Sequence, residues 1–532
     1  MSDKQIQWMV GQVKAGRMSR REFVGRAGAL GVGVAAATTM LSGAGVAEEP
    51  VNGGTLRVGT EYSGPDETFD TTRMTSGTDI IRCFQVYNRL TALDRGINVV
   101  PNLATEWEPA NEASEWTFKL REGVEFHDGR TMTVEDVLYS FQVHMKDESE
   151  SPAKPYLSAV TEMKADGPNV VKFTLDSGNA DFPVLLGYDY HLSIIPNGWK
   201  DGDPVNGTGP YRLTDFTPGL QSVTERFGNY WKSGAGHFDG VETQGISDST
   251  ARAFALRSGD IDIINAVDPR TADMLKEESK LTVYSTPSGA WFNWAMMCDR
   301  APTNDINFRK AMKHAVDRQY LVDNVRRGYA VVGNDFPVNP ASPDYCHEIP
   351  QTEYDPDKAA FYWKKTGLSS ATLVVSNAAN SSAVDLSVVL QEHAKECGID
   401  IVLDRVPDDG YWSDVWMQVP WCADGWNSRP TADLVLTIAH QCDASWNETA
   451  WCNERFDELL VMGRKETDPA KRLEIYCEAC TLLHDEGGDF IPFFSNQIEA
   501  ANNRVRTYQG SPVMELGDGW IFEETWIDDS KA

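Results

Sequence analysis

The chain is poor in the groups that build the commoner catalytic and nucleic-acid-binding sites. Its 532 residues include 9 histidines and 9 cysteines. Neither H-E-x-x-H nor G-x-S-x-G occurs, which removes the zinc-helix and nucleophile-elbow signatures. Gly207-Thr208-Gly209 runs into Pro210 and a strand pattern instead of a helix, so no phosphate cradle is expected there. Basic residues are scarce too: 48 Lys+Arg stand against 79 Asp+Glu, a net charge of −31. Such a surface repels phosphate backbones, and no basic stretch breaks the pattern, so nucleic acid is excluded as a partner. Beyond the N-terminal fifty residues no apolar run approaches the roughly 20 needed to cross a bilayer. Internal repeats, low-complexity tracts and Pro/Ser linkers are absent as well. What is present, 41% hydrophobic and 24% charged residues, suits a globular chain with room for roughly two to four interwoven domains.

The first fifty residues read as an export signal. Ser19-Arg20-Arg21-Glu22-Phe23-Val24 sets two arginines before a Gly- and Ala-rich apolar stretch over 24–41. Small residues Gly43-Ala44-Gly45-Val46-Ala47 follow, with a cut expected after Ala47. The paired arginines indicate the twin-arginine route. No cysteine stands at the cut, so the product is expected free in the periplasm and not as a lipoprotein.

All nine cysteines lie beyond that cut. Their odd number leaves at least one unpaired, and sequence alone does not give the connectivity. Cys422, Cys442 and Cys452 are close enough along the chain for one bridge among them.

Hydrophobic periods alternate between strand and helix. Trp116 to Leu120 is apolar at every second position, as are Val171, Phe173 and Leu175. Between them Thr133 and Asp136 form a capping pair before Val134, Val137, Leu138 and Phe141, one face of a helix. Tyr211-Arg212-Leu213 and Ser222-Val223-Thr224 flank the turn Pro218-Gly219. A helix is expected over 307–327, stopped by Gly328, and another from Pro469 to Gly487. The class is mixed α/β.

Longer motifs carry a family resemblance. Val100-Pro101-Asn102-Leu103-Ala104-Thr105-Glu106-Trp107-Glu108-Pro109 comes first, then 116–129 ending Phe126-His127-Asp128-Gly129, then Thr133-Val134-Glu135-Asp136-Val137. Gly207-Thr208-Gly209-Pro210-Tyr211, Asn229-Tyr230-Trp231, 255–262, Phe308-Arg309-Lys310-Ala311 and Tyr354-Asp355-Pro356 follow in order. Together they resemble the family 5 extracellular solute-binding proteins, the peptide, nickel and opine receptors of ABC importers. The resemblance implies a two-lobed periplasmic-binding-protein fold of the large dipeptide/oligopeptide-binding type, with mixed sheets and a cleft between lobes. Lobe I would comprise 48–300 and 492–532, with an inserted subdomain over about 96–205, and lobe II 301–491. The crossings would fall near Arg300 and Pro492. It further implies a monomer without enzymatic activity or cofactor, serving an ABC permease and ATPase complex at the inner membrane.

The family pattern places cleft walls at 61–74, 290–294 and 425–433. Polar and aromatic residues there and nearby are the candidates for ligand binding: Tyr62, Trp291, Asn293, Trp294, Arg405, Trp416, Trp426, Arg429 and Asp433. Broad rigid tryptophans offer contact area at low entropic cost. Dipeptide-binding relatives carry an acidic residue after the Gly-Trp step, where it holds the ligand's amine. Here Arg429 occupies that neighbourhood, and a guanidinium fork suits a carboxylate. Short peptides therefore compete with opine-like or other acidic solutes. A surface pair between Arg429 and Asp433 is the structural alternative.

Two further readings are weaker. Ser151-Pro152-Ala153-Lys154, Ser177-Gly178-Asn179 and Lys232-Ser233-Gly234 mimic the motif order of penicillin-binding serine hydrolases, but within segments the solute-binding pattern already explains. Cys477, Cys480 and His484 share one helix face with metal-ligand spacing, but core packing is the preferred reading for cysteines there and no metal is expected.

Overall fold

The computed structural model describes residues 49–531. The export segment and its cut lie outside the described residues. An 11-stranded sheet runs through the molecule. Its order is Ile401–Arg405, Ala371–Val375, Trp421–Trp426, Leu281–Met296, Phe493–Asn502, Ile263–Ile264, Thr55–Thr60, Gly240–Gly245, Gln221–Arg226 and Tyr211–Thr217, with Ala330–Val332 also paired to Phe493–Asn502. One half is built around Thr55–Thr60 and the other around Trp421–Trp426. Leu281–Met296 and Phe493–Asn502 join them, antiparallel to each other, with a register irregularity between Pro287 and Ala290. This is a two-lobed fold with mixed sheets.

In the second lobe the sheet is covered on both faces, which explains its near-continuous apolar strands. Phe292, Trp294 and Met296 enter one core with Phe308, Leu373 and Leu390. Trp291 enters the opposite core with Trp426, Leu436 and Tyr476. The first lobe carries a separate 4-stranded sheet, Ala104–Ala110, Glu115–Leu120, Val170–Leu175 and Val160–Ala165. Helix Val134–Met145 packs on it through Val137 and Phe141. The Thr133–Asp136 capping box forms: Thr133 N–H donates to Asp136 Oδ2 at 2.7 Å.

The period over 307–327 resolves into separate pieces. Ile306–Lys313 is α-helix, Arg318–Tyr320 a short helix and Leu321–Val325 a π-turn. Asp317 breaks the run because its carboxylate accepts from Tyr320 N–H and so starts a new cap. Pro469–Glu486 is continuous, capped by Asp468.

Two disulfides form, Cys442–Cys452 and Cys346–Cys477. The first is the bridge expected within 422–452, and Cys422 stays a buried thiol. The second consumes Cys477, which the metal-ligand alternative would have needed as a free thiol. Cys480 is core, and His484 instead meets the Thr352 hydroxyl at 2.9 Å.

The four-stranded insert also touches the second lobe. Ala180 N–H donates to Arg464 O at 2.7 Å, and Asp181 ion-pairs Arg472 at 2.5 Å. Tyr188 Oη donates to Ser428 O at 3.3 Å.

Trp294 is fully buried, and its indole N–H donates to Ser387 Oγ at 2.9 Å. Trp294→Ala is expected to cost about 3–5 kcal/mol, measured as a fall in the urea midpoint. A change below 1 kcal/mol would contradict this packing.

Candidate functional site

Two close approaches pack second-lobe segments onto each other and onto a joining strand. A Cβ on Gly289 would stand 2.6 Å from Asn339 Cβ and 2.7 Å from Ser428 Oγ; one on Gly425 would stand 2.3 Å from Ala379 O. Only glycine admits such neighbours. Directly beside them opens a cavity of ≈ 380 Å³. First-lobe residues 266–269 form one wall, and second-lobe segments 379–381 and 425–427 form the other. Ala290, Trp291 and 495–498 of the joining strands also line it.

The aromatic wall is a cross-strand pair. Trp291 and Trp426 are register partners and stack with ring centroids 5.2 Å apart and planes 6° apart. Trp446 meets Trp426 edge-on at 5.8 Å. One carboxylate fixes Trp426 and the neighbouring Trp416. Glu448 accepts from the indole N–H of Trp426 at 3.1 Å and of Trp416 at 2.6 Å, and from Asn293 Nδ2 at 2.8 Å. Asn293 also donates to Asp489 at 2.8 Å and accepts from Phe490 N–H. Burial, then the neighbouring Glu448, push Asp424 well above the usual carboxylate range, so it keeps its proton. Asp489 is pushed up to about 7 by burial. His440, 3.1 Å from Asp489, is driven down to about 4 by burial and stays neutral near pH 7.

Two arginines at this interface lack a carboxylate partner among the described residues. Arg326 lines the cavity and is 6% exposed, its Nε buried without a partner. Arg429 is half-buried and spends Nη1 on the carbonyls of Asn427 and Ser428, both at 3.1 Å. Arg429 also acts on Tyr156 and Tyr188 of the insert, drawing both phenols down against the burial that raises them.

The sequence candidates therefore divide. Trp291 and Trp426 line the cavity, and Arg429 lies at the meeting of the lobes. Asp433 does not pair with Arg429: it is buried and takes Arg464 Nε on both oxygens at 3.1 Å. Trp416 and Asn293 support the wall through Glu448. Trp294 points into the opposite core, because its strand alternates faces. Arg405 is exposed on the sheet's edge strand, two strands from Trp426. Tyr62 donates to Asp66 at 2.6 Å in the first lobe. In the hydrolase reading, Lys154 Nζ donates to Asp147 O and Ser149 O, while buried Ser151 bonds His144, so the pair does not form. Sequence reasoning missed Arg326, Asn496 and Glu448. No local signal marks Arg326, whose neighbour Arg327 pairs with Asp273 on the surface.

The comparisons with known proteins agree on the class. The profile of bacterial extracellular solute-binding proteins, family 5 Middle, matches residues 98–443, and the chain belongs to that family. Di/tripeptide-binding protein 1 of Pseudomonas aeruginosa is 28% identical over 470 residues, covering 79% of this chain and 85% of the relative. Among solved structures, AgaA of A. tumefaciens R10 in complex with agropinic acid superposes with TM-score 0.73 at 21% identity, over 89% of this chain and 99% of its own. DppA of Helicobacter pylori with the peptide STSA gives 0.72 at 21%, over 90% and 99%.

A pH dependence follows from the buried carboxylates. Asp489, at about 7 against an ordinary value near 4, keeps its proton in the folded chain while the unfolded chain has released it. Glu499, also raised to about 7 by burial, acts with the same sign. Folding takes up protons in that window, so their contribution is full below about pH 4 and lost as pH rises through about 7. In Asp489→Asn, the drop in urea midpoint from pH 5 to pH 7.5 should shrink. An undiminished drop would contradict the assignment.

Proposed function

We propose that this chain is the periplasmic binding protein of an ABC importer, capturing a peptide or peptide-like solute between its lobes and presenting it to the membrane permease and ATPase. The observation that carries this reading is the cavity between first- and second-lobe walls, lined by the Trp291–Trp426 stack and floored by the two joining strands. Solute there touches both lobes at once, so binding favours the closed arrangement by its differential affinity for it. The irregularity at Pro287–Ala290 and the opposite stretch of Phe493–Asn502 are the natural hinge. Lobe I is then 48–300 with 492–532, carrying the insert over about 96–205, and lobe II is 301–491. The chain acts as a monomer without cofactor or covalent chemistry, exported by the twin-arginine route and not as a lipoprotein.

Among cleft residues we assign contact to Trp291, Trp426 and Arg429, and support to Trp416 and Asn293. The two unpaired arginines favour a solute bearing an anionic group, which keeps opine-like and other acidic conjugates beside peptides.

The protein, stripped of carried-over solute by unfolding and refolding, should be screened by thermal shift against free peptides, opines, sugars and chelated nickel. A solute at a hundredfold excess over its Kd adds about 2.7 kcal/mol, so peptides or opines should raise Tm. A shift from sugars alone would contradict the reading. Arg429→Ala should weaken the active solute about tenfold, the loss of one charge-assisted contact, with the solute-free Tm unchanged. An unaltered Kd would remove Arg429 from the site.

A further inference from the structure

We propose that Asp181 of the insert and Arg472 of the second lobe form a latch that holds the lobes closed without touching the solute; this rests on the reading that the lobes close over a solute. Asp181 stands at the N-cap of helix Phe182–Tyr188. An aspartate at that position ordinarily accepts from the first N–H groups of its own helix. Here its side chain makes no such bond, and Oδ1 accepts from Arg472 Nη1 at 2.5 Å, on helix Pro469–Glu486 of the other lobe. Asp181 is 3% exposed, so a local cap has been exchanged for a buried contact between lobes. The backbone follows it across. Ala180 N–H donates to Arg464 O at 2.7 Å, and a Cβ on Gly178 would stand 3.0 Å from Lys465 Cγ.

The second lobe's half of the latch is built to keep its shape when the insert leaves. Arg472 Nη2 lies 3.5 Å from Asp344 Oδ1, an acid of its own lobe, and Asp344 Oδ2 accepts from Ala432 N–H at 3.2 Å. The Cys346–Cys477 bridge ties the segment bearing Asp344 to the helix bearing Arg472. Arg464 is held in the same way by Asp433. With the insert docked, Asp181, Asp344 and Asp433, all buried, share the guanidinium groups of Arg464 and Arg472. The acids are in excess. Burial and then Asp181 raise Asp344, and burial raises Asp433 against the pull of Arg464, with Asp181 adding to the rise. Among the described residues Asp181 Oδ2, Arg472 Nε and Tyr476 Oη are buried there without hydrogen-bond partners. A strong ion pair among unmet polar groups adds to closure without securing it, so the solute-free chain populates both arrangements. Because the latch favours the closed form whatever is bound, it scales the affinity of every solute by one factor. A buried charge pair acts mainly on release.

Asp181→Asn tests this, since asparagine keeps the size and the capping preference of the residue and removes only its charge. Stopped-flow tryptophan fluorescence of the stripped protein with Ala-Ala, Ala-Ala-Ala and an N-carboxyethyl amino acid should show release at least about tenfold faster from the variant, by the same factor for each probe. Arg472→Gln should act alike, and the double variant should release no faster than the faster single one, as for two ends of one contact. Without solute, small-angle scattering should give Asp181→Asn a larger radius of gyration than the wild type. Unchanged release, effects that add in the double variant, or a loss confined to one probe would overturn the latch and leave the cleft reading intact. Should no probe bind the wild type, the peptide-like reading falls and solute-free scattering decides the latch alone: a larger radius in Asp181→Asn supports it, and equal radii overturn it.

Discussion

The antiparallel pairing of Leu281–Met296 with Phe493–Asn502 is the constraint on which the rest depends. Their register runs from Leu281 opposite Asn502 to Phe292 opposite Phe493, through both halves of the sheet. Beyond it, Trp291–Met296 pair with Trp421–Trp426 and set the second lobe's register. A slip of one residue would exchange Trp291 with Phe292 and turn both cores inside out. The same strands provide the cavity floor and the lone interruption in their own ladder, at Pro287–Ala290. On the proposed hinge, rigidity in the lobes and compliance between them come from one element.

Electrostatics divides sharply between outside and inside. The chain is strongly acidic, yet among the described residues no carboxylate pairs with Arg326 in the cavity, although Asp268 shares the lining, and Arg429 lies nearby without a carboxylate partner. The carboxylates close to the aromatic wall, Asp424, Glu448 and Asp489, are buried. Glu448 orients Trp416, Trp426 and Asn293, while Asp424 retains its proton beside it. Asp433 and Asp181 are taken by Arg464 and Arg472, where the insert meets the second lobe. Net charge says nothing about the sign of the cavity between the lobes, where Arg326 is left unpaired among the described residues.

Much of the architecture was legible. Caps and periodicity placed Val134–Met145 and Pro469–Glu486, and the turn at Pro218-Gly219 joins two paired strands. The ordered motifs carried the family. The site was legible only in part. Trp291, Asn293 and Trp294 sit in a strand buried on both faces, so no polar alternation tells which side chain meets the cavity. Asp317 hid a helix break inside an unbroken apolar period. Cys346 and Cys477 are 131 residues apart in sequence, beyond any spacing argument. Arg326 and Arg327 are adjacent and chemically identical, and only the tertiary packing buries one and pairs the other.

Small-angle scattering of the stripped protein, with and without the solute giving the largest thermal shift, tests the central claim most directly. Capture between lobes hinged on the two joining strands predicts a smaller radius of gyration on binding, with unchanged molecular mass. An identical scattering curve in both states, with binding saturated, would contradict closure of the lobes over the solute.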